Sequence, residues 1–133
     1  MPRILIADDD PAFRQMARLA CQVAGHEVFE AADAVSALHA QESALPDLLV
    51  LDIKMPGGGG EMVMTTLRRR KAACRVLVVT GVLEGAEEVL RIHLGVDGVL
   101  RKPVRMADIA TAIHRILGGD GAEPESAQGA PPA

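Results

Sequence analysis

Five residues in this chain combine types and positions that can carry out chemistry together. Asp8 and Asp9 follow the aliphatic run Ile4-Leu5-Ile6-Ala7, and Asp52 follows Leu48-Leu49-Val50-Leu51. Thr80 ends Val76-Leu77-Val78-Val79, and Lys102 comes directly after Val99-Leu100-Arg101. If the runs are parallel strands of one open sheet, their carboxyl ends meet at one edge and these side chains share a crevice. Three carboxylates so placed repel one another unless one is protonated or a cation neutralises them. Mg²⁺ suits such a site, because it takes one or two carboxylates together with water and phosphate oxygens. Asp52 is the candidate nucleophile, since Ile53-Lys54-Met55-Pro56-Gly57 after it reads as a loop expected to leave its carboxylate exposed. A carboxylate attacks phosphorus to give an acyl phosphate when a metal offsets the charge repulsion. Lys102 and Thr80 would hold phosphoryl oxygens through charge and a hydroxyl hydrogen bond.

Singly, each residue has a plainer role. Asp8 to Asp10 is an ordinary strand-to-helix turn, a Thr at a strand end is a turn residue, and Lys-Pro is punctuation. Their recurrence at the same end of successive strands is what selects the chemical reading.

Short aliphatic runs alternate with longer amphipathic segments, the pattern of a parallel sheet covered by helices on both faces. Strands are predicted near 3–7, 27–31, 48–51, 75–79 and 98–101. Helices are predicted near 11–24, 34–43, 60–70, 85–94 and 106–117. The first helix has Asp10 as N-cap, Pro11 at its first position and Gly25 past its end. Its apolar stripe is Phe13, Met16, Ala17, Ala20, Cys21 and Ala24. The last helix repeats the pattern with Met106, Ile109, Ala110, Ile113, Ile116 and Leu117. After Gly118 the composition collapses to Gly, Ala, Pro and acids, too poor in apolar residues to order itself. Residues 1–118 are therefore expected to form one domain and residues 119–133 a disordered tail or linker.

A chain of 133 residues with 49% hydrophobic residues can bury a real core, and with Phe13 and Phe29 as its only aromatics that core is aliphatic. The net charge of −4, with no basic stripe interleaved with aromatics, argues against nucleic-acid binding by this chain. Cys21 and Cys74 are too few and too far apart for a disulfide framework or zinc site, and are expected as buried free thiols. No apolar run reaches membrane-span length and the amino terminus opens on a strand, so a soluble cytoplasmic protein is expected. His26, His39, His93 and His114 share no ligand spacing. Arg68-Arg69-Arg70-Lys71 reads as a solvated helix end favoured by the dipole.

The order and neighbours of the five residues resemble the receiver domain of two-component response regulators. The matching pieces are Ile6-Ala7-Asp8-Asp9-Asp10, Leu51-Asp52-Ile53-Lys54-Met55-Pro56-Gly57, Thr80-Gly81, Gly95-Val96-Asp97-Gly98 and Lys102-Pro103. The resemblance spans residues 3 to 117. It implies a doubly wound (βα)5 α/β fold, a flavodoxin-like three-layer sandwich whose five parallel strands run in the order 2-1-3-4-5. It implies Asp52 as phosphoacceptor, charged by a histidine kinase or a histidine phosphotransfer protein. Mg²⁺ would be held by Asp9, Asp52 and the backbone carbonyl of Lys54, with Asp8 acting through water. Thr80 and Lys102 would bind the phosphoryl group. The domain would not be an enzyme beyond catalysing its own phosphorylation and dephosphorylation, and a downstream protein would read the change.

Three features depart from the family pattern. The aromatic switch position falls on Val99, which has no ring to move, so a subtler or different output surface is expected. The loop after Pro56 is four glycines, Gly57 to Gly60, readable either as a mobile segment or as a permissive turn into the third helix. Lys54 and Val82, two positions after Asp52 and Thr80, are poorly suited to position an attacking water, which predicts slow self-dephosphorylation. Leu19 and Val23 widen the first helix's apolar stripe, either as edge packing or as part of a phosphodonor docking surface. The rival functions are a phosphorylation-independent receiver-like interaction module, and an enzyme working on external phosphate esters through an aspartyl phosphate. The second rival lacks the acid–base carboxylate it needs, because that position is Lys54. The tail suits a stand-alone regulator and a receiver joined to more chain equally well.

Overall fold

The computed structural model describes residues 1–57, 59–81 and 95–118. Within them lie five strands, β1 (Arg3–Ala7), β2 (Glu27–Ala31), β3 (Leu48–Leu51), β4 (Arg75–Thr80) and β5 (Gly98–Arg101). Four helices accompany them: α1 (Pro11–Val23), α2 (Ala34–Ala44), α3 (Gly59–Arg70) and α4 (Met106–Gly118). The helix predicted at 85–94, Val82 and the tail at 119–133 lie outside the described residues.

All strand pairs are parallel and the sheet order is β2-β1-β3-β4-β5. Side chains alternate between the two faces, as the strand period of two requires. Leu5, Ala7, Leu49, Leu51, Val76 and Val78 pack under α2 and α3 with Leu38, Met64 and Leu67. Ile4, Ile6, Leu48, Val50, Leu77 and Val79 face α1 and α4, meeting Phe13, Ala17, Cys21, Ile109 and Ile113. Each fully buried Leu or Ile contributes about 1.5–3 kcal/mol of transfer free energy, so many aliphatic side chains do the work that few aromatics could. Cys21 and Cys74 are free and buried. Burial pushes their thiols up, to about 11 and about 12, so neither is a ready nucleophile.

The helix ends follow local chemistry. Asp10 caps α1 by accepting from the Ala12 N–H, and Pro11 opens the helix. Asp33 and Ser36 form a reciprocal capping box at α2. Among the described residues no helix is long and apolar enough to cross a membrane.

Candidate functional site

Strand register brings the predicted residues together. Ala7 pairs with Leu51, so Asp8 and Asp52 leave neighbouring strands at the same level. Thr80 pairs with Arg101, which puts Lys102 one residue beyond the adjacent edge. One carboxylate oxygen from each of Asp8, Asp9 and Asp52 lies within 4.8 Å of the other two. Asp9 is exposed and Asp8 buried; Asp52, expected to be exposed, is buried as well, because the loop after it folds back onto the starts of α2 and α3, so the cluster opens to solvent on the Asp9 side.

Lys102 reaches into this cluster. Its Nζ lies 2.7 Å from Asp8 Oδ2 and 3.5 Å from Asp52 Oδ2. The ring of Phe13 lies below it, 4.6 Å from ammonium to centroid, a contact that adds a favourable quadrupole term of about 1 kcal/mol. The Lys102–Pro103 peptide is cis. Asp8 Oδ1 accepts from the Asp10 N–H at 2.9 Å and Asp52 Oδ1 from the Lys54 N–H at 3.3 Å. Thr80 is buried, and its carbonyl accepts from the Lys102 N–H at 3.0 Å.

Burial raises the Asp8 carboxyl above the ordinary value, and repulsion from Asp52 adds to that rise. The hydrogen bonds from Lys102 and Asp10 offset only part of it. Burial works to lower the Lys102 ammonium, but its bonds to and attraction by Asp8 and Asp52 prevail and raise it. One ammonium among three carboxylates leaves net negative charge in a pocket of hard oxygen donors. Such a donor set fits a divalent cation preferring oxygen, which makes Mg²⁺ a chemically reasonable guest.

Three glycines of the loop after Pro56 have steric reasons. Gly57 and Gly59 have φ of 85° and 74°, where side chains are strained. A Cβ on Gly60 would stand 2.7 Å from the Asp52 carbonyl oxygen and 2.8 Å from the Ile53 Cα. The Gly60 N–H donates to the Ile53 carbonyl at 2.7 Å, and the Ala34 N–H donates to the Pro56 carbonyl at 3.0 Å. The loop carrying Asp52 is thus tied to the starts of both α2 and α3, with steric reasons for Gly57, Gly59 and Gly60, while Gly58 lies outside the described residues.

Residues 4–114 match the family described as the response regulator receiver domain. The chain belongs to this family. Receiver domains of two-component response regulators are signalling proteins rather than metabolic enzymes. The DNA-binding dual master transcriptional regulator RpaA of Synechocystis sp. is 32% identical over 119 residues, covering 88% of this chain and 49% of that protein. A positive alginate biosynthesis regulatory protein from Pseudomonas aeruginosa is 38% identical over 115 residues, covering 84% of this chain and 46% of its own. The chain thus spans about half the length of the curated relatives it matches. A CheY-like receiver domain protein from Methanospirillum hungatei JF-1 superposes with a TM-score of 0.83 at 28% identity, covering 92% of this chain and 98% of that one.

Within this receiver, Val99 is part-buried against the cluster under α2 and α3. Leu19 and Val23 are 50% and 76% exposed, so both present apolar surface on α1. Two neighbours of the site were not recognised as such in the sequence. Phe13 read as core stripe, and only the fold shows its ring under Lys102. Arg14 carries a fainter signal: a cation in a helix's first turn opposes the dipole, which implies a dedicated partner.

Proposed function

We propose that this receiver is a Mg²⁺-dependent phosphoryl acceptor that takes its phosphoryl group on Asp52 from a histidine kinase or histidine phosphotransfer protein. The observation that carries the reading is the convergence of Asp8, Asp9 and Asp52 around the Lys102 ammonium at the carboxyl edge of the sheet. Asp9, Asp52 and the Lys54 backbone carbonyl would hold the metal directly, with Asp8 acting through water. When bound, the ion neutralises the carboxylates and the incoming phosphoryl oxygens. Asp52 supplies the attacking oxygen. Lys102 leaves its partners on Asp8 and Asp52 to pair with a phosphoryl oxygen, guided by the Phe13 ring. Thr80 donates its hydroxyl to another.

Leu19 and Val23 offer an exposed apolar strip on α1 on which a phosphodonor docks. The output is a changed interaction with a downstream protein, in which Val99 moves no ring. The long-lived acyl phosphate expected from Lys54 and Val82 belongs to the same reading, as do a cytoplasmic location and a tail that links or trails the domain.

The test is incubation with MgCl₂ and a small phosphodonor such as acetyl phosphate, read by intact mass on wild type and Asp52→Ala. The expected result is one added phosphoryl group on wild type and none on the variant. No gain on wild type would favour an interaction module that works without phosphorylation; a gain surviving on Asp52→Ala would remove Asp52 as acceptor.

A further inference from the structure

Asp8 is held by its backbone as well as by its side chain. Its N–H donates to the Ala31 carbonyl of β2 at 3.1 Å. Its own carbonyl accepts from Arg14 Nη1 at 2.8 Å. That carbonyl belongs to the peptide joining Asp8 to Asp9, so the Arg14 guanidinium holds one end of the plane from which Asp9 projects. Arg14 is itself oriented: its Nε donates to Glu30 Oε1 at 3.0 Å, and the other Glu30 oxygen accepts from Arg18 Nε at 2.5 Å. The Arg14 and Glu30 side chains are largely covered, at 20% and 26% exposure. The Arg14 N–H donates to the Asp10 carbonyl at 3.0 Å, so one residue closes the first turn of α1 and reaches back to the peptide before the cap.

We propose that Arg14 is a positioning residue for the metal site, locking the Asp8–Asp9 peptide so that the Asp9 carboxylate is aimed before the cation arrives. The role rests on the reading of Asp8, Asp9 and Asp52 as a Mg²⁺ site. Partners that orient metal ligands are commonly as important as the ligands, because a ligand free to turn must be ordered at the moment of binding. Glu30 and Arg18 complete the device. The planar fork of Arg14 has donors for both Glu30 and the carbonyl, whereas an ammonium on a flexible stem gives no such two-point orientation.

Charge alone makes the opposite prediction. Arg14 is a cation beside a cation site, so removing it should tighten Mg²⁺ binding by Coulomb's law. Positioning requires that removal weaken it. The experiment is an MgCl₂ titration followed by backbone amide NMR shifts on wild type, Arg14→Met and Arg14→Lys, with urea midpoints of each measured in EDTA. Phosphorylation by acetyl phosphate is then measured across the same MgCl₂ range.

Arg14→Met is expected to lose about tenfold in Mg²⁺ affinity, in line with other partners that orient metal ligands. Its phosphorylation rate should recover at saturating Mg²⁺, because no reacting group has been removed. Arg14→Lys should fall between it and wild type, and it carries the test if Arg14→Met does not fold. Affinity unchanged or tightened in the folded variants, whatever their urea midpoints, would overturn the positioning role while leaving the metal site intact. Failure of wild type itself to bind Mg²⁺ would overturn both the site and this role.

Discussion

Replacing Asp52 by Asn should make the metal-free protein more stable. Asp52 Oδ2 is 3.5 Å from the Lys102 ammonium, while the carboxylates of Asp8 and Asp9 each lie within 4.8 Å. At an effective dielectric of 20, the attraction is about 5 kcal/mol and each repulsion about 3.5 kcal/mol. With all three carboxylates ionised, Asp52 therefore sits in net repulsion of about 2 kcal/mol, and solvent screening of exposed Asp9 brings this nearer 1 kcal/mol. An amide removes that term and the cost of burying a charge, and its oxygen can still accept from the Lys54 N–H. Asp8 behaves differently. Its bond to Lys102 at 2.7 Å is worth about 6 kcal/mol on the same scale, which nearly cancels its two repulsions, so Asp8→Asn relieves the cost of burying the charge but loses a charge-assisted bond, and the two largely offset.

The assay is thermal unfolding followed by circular dichroism at pH 8, in EDTA and in excess MgCl₂. In EDTA, Asp52→Asn should melt about 4 °C above wild type for a domain of this size, and Asp8→Asn should gain less because its bond to Lys102 is lost. In MgCl₂ at 100 times its dissociation constant, wild type should gain about 2.7 kcal/mol by mass action, and Asp52→Asn far less because a ligand is gone. The order of the two proteins should then narrow or reverse. Asp52→Asn melting below wild type in EDTA would refute the reasoning, since attraction to Lys102 would then outweigh the repulsion. Equal gains in MgCl₂ would show that Asp52 does not hold the ion.

Gly60→Ala places a Cβ against the Asp52 carbonyl and the Ile53 Cα, atoms of backbone that cannot turn aside. Overpacking of about 1–3 kcal/mol should exceed the helix-propensity gain of about 1 kcal/mol. Urea unfolding should show a loss, while Gly118→Ala, with nothing within 4 Å of the added Cβ, should show none. Lys102→Met leaves Asp8 buried without its cation and should lower stability by about 2 kcal/mol, discounted from the fully buried case for the partial exposure of the ammonium. The same variant should lose phosphorylation in the mass assay. The Glu30 carboxyl is held low, by the Arg18 hydrogen bond first and Arg14 next. Its stabilisation is present above the unfolded carboxyl's titration and is lost as pH falls through the folded one. Wild type should therefore exceed Glu30→Gln by about 1 kcal/mol at neutral pH, with the gap closing in acid. A gap independent of pH would mean that Glu30 acts by packing.

The parts of this receiver legible in the sequence are those where local rules and tertiary placement agree. Asp10-Pro11 opens a helix by capping chemistry whatever lies around it, and the run Leu48–Leu51 is a strand because both its faces must be covered. The convergence of Asp8, Asp52, Thr80 and Lys102 needs only that the strands be parallel, since register then brings their ends together. What escaped the sequence depends on relations across elements that no periodicity records. Phe13 satisfies the apolar stripe of α1 whether or not an ammonium lies over its ring. Gly60 looks like one of four interchangeable glycines until the Asp52 carbonyl is placed against it. Leu19 and Val23 extend a helical stripe, and how far a stripe is covered depends on where the neighbouring layers end; here Leu19 is left half exposed and Val23 mostly so. Arg14 falls between these cases. Its position against the helix dipole marks it as unusual, but only the fold brings Glu30 to one side of its guanidinium and the Asp8 carbonyl to the other. The acidic cluster is therefore specified twice, by the strand ends that gather the carboxylates and by the first turn of α1, which holds their backbone and their counter-ion in place.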